Sequence, residues 1–499
     1  MLTPQELLEI VDTLYPLLDE LNIWITTDLI KRLMARLARN EDWSFGASDK
    51  WQLELYKEAG GHYEELTRQI KAWTKKTDAE VMAIFEDAGL RAWNADDAFY
   101  VAQGFESTPL LKSEPLMKIL TDTYQRTNGE IHNFTRTTAT HSEQHFMNVC
   151  DKAHLKVTTG AQSYTEAVKE AVDELIDTQA KVRYPTGHTD TIETAVLRCV
   201  RTGTAQASGN LSIQGMVERG WDIILVSAHL GARYGDNGEN PSNHFWWQGK
   251  LYSREDKTPG LPDFVKCTGY GTGEGLCGWN CRHSFGPGNL DHNPYKEFDA
   301  EENKRAYDLS QKQRAMERAI RKNKAKLKGY QTAIENCADE ETKQKLQEEY
   351  DRTAEELSKQ NAAYNKFCED NNLKRYDDRL RVAKWSRSEA SKAAVTARNI
   401  GKFKDTVKAA GTTSTGVPIN DVSTHLYTRS RYRGPRANDI TDALTKPLKL
   451  GNIRADRSQQ FVGESCTAVI NVDTGKVITC WATSAKLAAK LKAKGGSPP

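Results

Sequence analysis

From residue 297 to about 395 the chain is heavily charged, yet its apolar residues fall in two stripes at helical spacing. Met316, Ile320, Leu327, Tyr330 and Ile334 form one stripe, and Leu346, Tyr350, Leu357, Tyr364 and Phe367 the other. The break lies near Cys337-Ala338-Asp339. Two such runs joined by a short polar break predict an antiparallel helical hairpin, a coiled-coil arm. Its many lysines and glutamates then form a solvated face.

The rest of the chain is read around that hairpin. Thr3-Pro4-Gln5-Glu6 is a helix start, with Thr at the N-cap, Pro in the first turn and Glu three residues on. It is not a signal peptide. Leu7, Leu8, Ile10, Val11, Leu14 and Leu17, then Ile23 to Leu37, continue at helical spacing. Trp24, Trp43, Trp51, Trp73 and Trp93 are expected to fill a core. Leu116 to Cys150 reads as an unusually polar helix with little apolar face of its own, a candidate for packing against a partner rather than against solvent. Tyr164 to Leu175 and Ile192 to Arg201 are further helices, and Asp222 to Val226 is a buried strand. From Ser227 to Pro287 the composition is Gly, Asn and aromatic, as in loops.

Thr412 to Gly416 opens a linker of the flexible kind. Beyond it, Asn438 to Leu448 reads as a short helix, and Gln459 to Val462, Cys466 to Val472 and Val477 to Thr483 read as strands. Asp473-Thr474-Gly475-Lys476 is the hairpin turn between the last two. The expected architecture is multidomain and mostly α. It has a helical N-terminal region (1–110), an α+β loop-rich middle unit (111–295), the hairpin arm (296–400), a linker (401–420) and a small basic α/β domain (421–499).

A chain of 499 residues is too long for one small core, and 38% hydrophobic with 27% charged residues gives material for several. The net charge of +1 points to neither nucleic acid nor membrane for the whole chain, and no apolar run is long enough to span a bilayer. From Asp421 to Pro499, however, 13 lysines and arginines face six acids, a net of +7. That end could approach a polyanion, although much of the excess comes from Lys486, Lys490, Lys492 and Lys494. Nine scattered cysteines form no repeating framework and fit a reduced, cytosolic assembly environment.

Three patterns in the middle unit are not explained by fold composition. The first is Val182-Arg183-Tyr184-Pro185-Thr186-Gly187, leading to Leu197-Arg198-Cys199-Val200-Arg201-Thr202. The second is Val226-Ser227-Ala228-His229-Leu230-Gly231-Ala232-Arg233, then His244 and Trp247-Gln248-Gly249-Lys250-Leu251-Tyr252. The third is Thr268-Gly269-Tyr270-Gly271, then Gly275-Leu276-Cys277-Gly278-Trp279-Asn280-Cys281-Arg282-His283-Ser284-Phe285. In this order they resemble the phage minor capsid protein 2 family, related to Mu-F-like minor head proteins of tailed phages. The resemblance runs from about Glu114 to Lys384, through Tyr124-Gln125-Arg126-Thr127 and Gln311 to Arg321. It implies a few copies per virion, in the capsid interior or at the portal vertex, after assembly in the host cytoplasm. It implies contact with the portal and major capsid proteins, with viral DNA as a further partner, and a role in head assembly or DNA delivery.

The same segment carries metal-capable side chains. Cys277-x3-Cys281-x-His283 is tightly spaced, Cys267 is near in sequence, and His229 or His244 could complete four zinc ligands. The alternative is buried cysteine with hydrogen-bonded histidine. Ser227, His229 and Asp222 cluster as well, but a triad needs a geometry that spacing does not supply. His229 is expected to bond to neighbouring backbone.

In the basic end, His425-x3-Arg429, Arg433-Gly434, Ile440, Ala443-Leu444 and Pro447 precede three strands ending at Thr483-Ser484. This order resembles phage-associated RNase domains grouped with barnase, EndoU, colicin and RelE-type toxins, over about the last 80 residues. Pro435 to Asp439 is an insertion relative to that pattern. The resemblance implies metal-independent cleavage of host RNA. His425 would be general acid or base, Arg429 and Arg433 would grip the phosphate, and Thr483 or Ser484 would bond a phosphate oxygen. Three readings stay open: a structural virion protein with a docking tail, a virion-borne nuclease, and a prophage toxin.

Overall fold

The computed structural model describes residues 1–38, 48–177, 181–184, 186–235 and 238–493. Trp43, Pro185 and Lys494, and the side chain of Trp51, lie outside the described atoms.

The chain opens with α1 (Pro4–Glu9), capped by Thr3 and Glu6 as the sequence predicts. The helix does not run on to Leu17. It breaks into a tight turn at Asp12–Leu14 before α2 (Tyr15–Ala38), which puts Pro16 in a first turn, where its missing N–H costs nothing. Three long helices follow around one centre: α3 (Ser48–Ala102), α4 (Glu114–Thr158) and, after α5 (Tyr164–Asp177), α6 (Ile192–Arg219). The short strands β1 (Lys181–Arg183) and β2 (Thr189–Thr191) pair between them. Trp73 and Trp93 are buried in this centre.

One face of the polar helix α4 packs against helices of its own chain rather than against solvent. Thr123, Thr127, Thr135, Thr138 and Ser142 are buried inside the chain, where α4 packs on α3 and α6. The reason is local. Thr123, Thr127 and Thr138 each donate to the carbonyl four residues back, at 2.8, 2.9 and 2.9 Å. With the hydroxyl satisfied inside its own helix, each threonine presents a methyl group to its neighbours. Helix α6 comes close to α4, β5 and α3 through glycines. A Cβ on Gly203 would collide with Thr127 and Phe85, one on Gly209 with Phe285, and one on Gly215 with Trp93.

The middle unit contains an antiparallel sheet in the order β4 (Leu251–Ser253), β3 (Ile223–Val226), β5 (Phe285–Pro287). Short helices α7 (His244–Trp247) and α8 (Phe264–Thr268) punctuate its loops. Asp222 ties two of these segments by accepting from Ser253 Oγ at 2.5 Å and Thr258 Oγ1 at 2.6 Å.

The expected hairpin is present as α9 (Ala300–Asn336) and α10 (Glu340–Asp370). Ile320, Leu327, Tyr330, Leu346, Leu357 and Tyr364 are buried. It does not stand free as an arm. α9 also packs on α2 and α5, with Tyr330 Oη donating to Asp173 at 2.8 Å and Arg321 paired to Glu193. One continuous apolar cluster therefore runs from Leu2 to Ala393.

Helix α11 (Arg387–Lys408) leaves that cluster and enters a second, through Val407. The stretch 401–420, expected as a linker, is thus helical to Lys408. It then forms a pinned turn in which Thr413 N donates to Val417 O and Ser414 N to Leu444 O, each at 2.9 Å. The C-terminal unit holds β6 (Asp421–Val422), α12 (Thr424–Arg433), α13 (Ala437–Thr445), β7 (Lys449–Leu450), β8 (Ser458–Val462), β9 (Cys466–Asn471), β10 (Lys476–Ala482) and α14 (Ala485–Ala493). The sheet order is β6-β10-β9-β8-β7, with β6 parallel to β10 and the other pairs antiparallel. The predicted helix, strands and hairpin turn agree with these elements to within a few residues.

Polar contacts dock this unit on α10. Glu355 accepts from Lys404 Nζ at 2.8 Å and from Thr424 Oγ1 at 2.5 Å, and Asp351 accepts from Thr428 Oγ1 at 2.8 Å. Burial acts to raise the Glu355 pKa, but bonds from Lys404 and Thr424 outweigh it and hold the group at about 2.

Two outcomes are expected. On an exposed helix Gly→Ala would stabilise by about 0.5–1 kcal/mol. Gly203→Ala should instead lower the stability of the full chain by about 1–3 kcal/mol in urea unfolding, because Thr127 and Phe85 have to give way. An unchanged or raised midpoint would contradict the packing argument. The Glu355 contribution is present above the ordinary carboxylate value and fades as pH falls towards about 2. Glu355→Gln should cost about 1–3 kcal/mol at neutral pH and show less loss between pH 4.5 and 2 than wild type. Parallel pH profiles for the two proteins would contradict it.

Candidate functional site

Three places carry the chemistry-bearing residues. The first lies in the loops around β3 and β5. His244, Cys281 and His283 are buried, and their ligand-capable atoms all lie within 4.8 Å of one another. The sequence could not decide how the histidines are protonated; the hydrogen bonds do. Gln248 Oε1 accepts from the backbone N–H of His229 at 3.0 Å, which identifies that amide atom as the oxygen. The same oxygen faces His283 Nε2 at 3.0 Å, so Nε2 carries the proton and Nδ1 the lone pair. His283 Nδ1 is 3.7 Å from Cys281 Sγ. His244 Nε2 likewise points at the Glu274 carbonyl, at 2.8 Å, which leaves its lone pair on Nδ1. Burial pushes the pKa of His244 down to about 4 and that of His283 well below the usual range, so both rings are neutral. Cys281 Sγ accepts from the His283 N–H at 3.3 Å, a bond that favours a thiolate, although burial drives its pKa upward.

The other predicted ligands stand around this group. The His229 ring stacks on His283 with centroids 4.5 Å apart, and its Nδ1 lies 3.0 Å from the adjacent Leu230 carbonyl, the backbone bond expected of it. Cys277 is buried, with Sγ 3.9 Å from the His283 carbonyl. Cys267 lies on α8 and is not in the group. No triad is formed, since Asp222 is spent on Ser253 and Thr258, and Ser227 Oγ accepts from the Ser284 N–H at 2.9 Å. His244, Cys281 and His283 could hold a soft-to-borderline metal ion, with Gln248 and the Glu274 carbonyl orienting the rings.

The second place is a cavity of about 130 Å³ between α6 and α9. Arg198, Arg201, Arg314, Arg318, Arg321 and Arg379 line it, with Glu193 and Glu317. Arg198 pairs with Asp190 at 2.6 Å, Arg321 with Glu193, and Arg379 with Asp12 at 3.3 Å. The sequence analysis did not single out this cluster, although Arg201 and Arg314 lie in segments that carry the family resemblance. Only the tertiary fold brings them to one cavity.

The third place is the basic face of the C-terminal unit. His425 Nδ1 is 2.8 Å from Glu348 Oε1 on α10. Arg429 acts on the same Glu348 electrostatically, and Arg433 ends α12 exposed. Glu348, Asp351 and Glu355 share one face of α10 at i, i+3 and i+7. The start of α12 therefore faces carboxylates of its own chain. Thr483 Oγ1 bonds Thr467 Oγ1 at 2.9 Å, and Ser484 Oγ accepts from Leu487 N at 3.3 Å. Ser423, two residues before His425, donates to the Ile478 carbonyl at 2.7 Å. Thr483 and Ser484 directly follow the end of β10 at Ala482. The structure thus groups His425 with Arg429 beside Glu348, while Arg433, at the other end of α12, acts electrostatically on Cys480 of β10.

Residues 2–367 match the family described as phage minor capsid protein 2. The matched span covers the helical core, the loop-rich unit with the His/Cys group and arginine cavity, and the hairpin almost to the end of α10. A protein named "Structural protein" from Lactococcus phage LL-H is 23% identical over 335 residues, covering 62% of this chain and 84% of the relative. No solved structure matches the chain. No helix among the described residues is long and apolar enough to cross a membrane. The chain belongs to the phage minor capsid protein 2 family, and its role is a structural one in the phage head.

Proposed function

We propose that this chain is a minor component of a tailed-phage head, seated at the portal vertex, where it contacts portal and major capsid proteins during head assembly or DNA delivery. The observation that carries this reading is the extent of the family match, which takes in nearly all of the continuous core from Leu2 to Ala393. The C-terminal unit lies outside the match and is folded onto α10 through Glu348, Asp351 and Glu355. That placement, with His425 paired to Glu348 of the same chain, favours a docking module over an RNA-cleaving one. Mass spectrometry of purified particles should find the chain at low copy number, cross-linked to portal protein. Particles that lack it would end the proposal.

We also infer that Cys281, His244 and His283 hold a structural zinc ion, with Cys277 or His229 as the neighbour able to complete four ligands. Two neutral imidazoles with oriented lone pairs and a thiol in one buried group support it. Elemental analysis of the full chain, purified without chelator, should give close to one zinc per chain. Cys281→Ser should lose the metal and melt at lower temperature. Metal well below one equivalent in the wild-type protein would rule the site out.

A further inference from the structure

The cavity between α6 and α9 has more positive charge than its own carboxylates answer. Three of its arginines have partners: Arg198 with Asp190, Arg321 with Glu193 and Arg379 with Asp12. Arg201 and Arg314 have neither a hydrogen bond nor a carboxylate within 4.0 Å among the described residues, and the Arg201 Nε is fully enclosed. Burial and the like charge of Arg314 push the Arg201 pKa down to about 10. Burial and Arg379 lower that of Arg314. The carboxylate that acts on Arg314 is Glu317, which already accepts from Tyr364 Oη at 2.9 Å and whose own pKa is raised by burial.

A guanidinium taken out of water is costly unless an anion and hydrogen-bond acceptors replace the solvent. Here two of them line one cavity without a hydrogen-bond acceptor among the described residues, and the charge of Arg314 makes that of Arg201 more costly. Their planar forks match a tetrahedral oxyanion, which accepts paired N–H bonds from each. A volume of about 130 Å³ is room for several waters or one such ion. The position is also telling. Arg201 comes from the Leu197–Thr202 segment, Arg314 from the Gln311–Arg321 segment, and Asn280 of the cavity wall from the Cys277–His283 loop. Three separate stretches that carry the family resemblance meet at this one cavity.

We propose that the α6–α9 cavity binds a phosphate-class oxyanion, gripped by Arg201 and Arg314. The ion bridges α6 of the central bundle and α9 of the hairpin, so it fastens two elements far apart in sequence. Either free phosphate or a phosphate group of nucleic acid supplies the same chemistry.

The test uses the full chain in Tris-chloride buffer, with calorimetric titration and thermal melting against inorganic phosphate and against a single-stranded DNA oligonucleotide. Wild-type protein should bind phosphate and melt at higher temperature with it. Arg201→Met and Arg314→Met should each weaken binding by about tenfold or more, the loss of a bidentate pair. Lys118→Met, on the surface of α4 and paired to Asp122, should leave binding within about twofold. Without phosphate, the two arginine variants should melt no lower than wild type, because each removes an uncompensated charge. An oligonucleotide that competes with phosphate and is lost in the same variants identifies nucleic acid as the source. Phosphate binding alone identifies the free ion. If wild type binds neither probe, or if both arginine variants keep full phosphate binding, the proposal is wrong. Should a methionine variant fail to fold, Arg314→Lys keeps the charge but loses the fork, and undiminished binding by it would also overturn the proposal.

Discussion

The close approach of α6 to its neighbours is the constraint on which the rest of the structure depends. Gly203, Gly209 and Gly215 remove the side chains that would otherwise hold Phe85, Phe285 and Trp93 away. Phe285 belongs to β5, so this contact seats the loop-rich sheet directly on the bundle. With α6 fixed at that depth, Arg198 and Arg201 look towards α9. A helix standing further out would separate these arginines from Arg314 and open the loop unit to water. Packing density, more than hydrogen bonding, thus decides where the charged residues meet.

The buried polar residues obey the same logic in two ways. The threonines of α4 satisfy themselves along their own helix and behave as small apolar surfaces. The carboxylates of α10 instead take their partners from elsewhere in the chain, from Lys404, Thr424, Thr428 and His425. A hydroxyl can be met by one nearby carbonyl, whereas a carboxylate has several lone pairs and asks for more donors than its own turn offers. This is why the acidic face of α10, which looks like a solvated surface in the sequence, becomes the seat of the C-terminal unit.

Periodicity reports the surroundings of a helix only up to its first layer. It located the hairpin, its break at Cys337–Asp339 and the strands of the last 80 residues, because those elements bury an uninterrupted apolar stripe or alternate cleanly. It did not identify α3 and α6 as what the polar helix α4 packs against, since composition counts a threonine as polar whatever its hydroxyl does. It misread 401–420 as a linker, since small residues suit both a flexible tether and the tight turn at Thr413–Val417. At the candidate metal group the chain spacing pointed to Cys277, Cys281 and His283, of which Cys281 and His283 are in the group and Cys277 is not. Cys267, close in sequence, sits on α8 outside the group, and His244 enters it from α7.

The sequence by itself determined the local elements: capped helix starts, two long amphipathic stripes, a hairpin turn at Asp473–Lys476, and the motif segments that mark the family. Those depend on residues a few positions apart, and the chain states them directly. Only the tertiary structure decided which of the motif residues share a space. Arg201 and Arg314 are 113 positions apart, and nothing in either neighbourhood signals the other. Their meeting is set by how α6 packs on α3 and α4 and α9 on α2, α5 and α10, sums of many contacts. The same holds for His425, whose sequence neighbours suggest a phosphate and whose spatial neighbour is Glu348. Charge acts through space, and chain spacing beyond a helical turn carries almost no record of it.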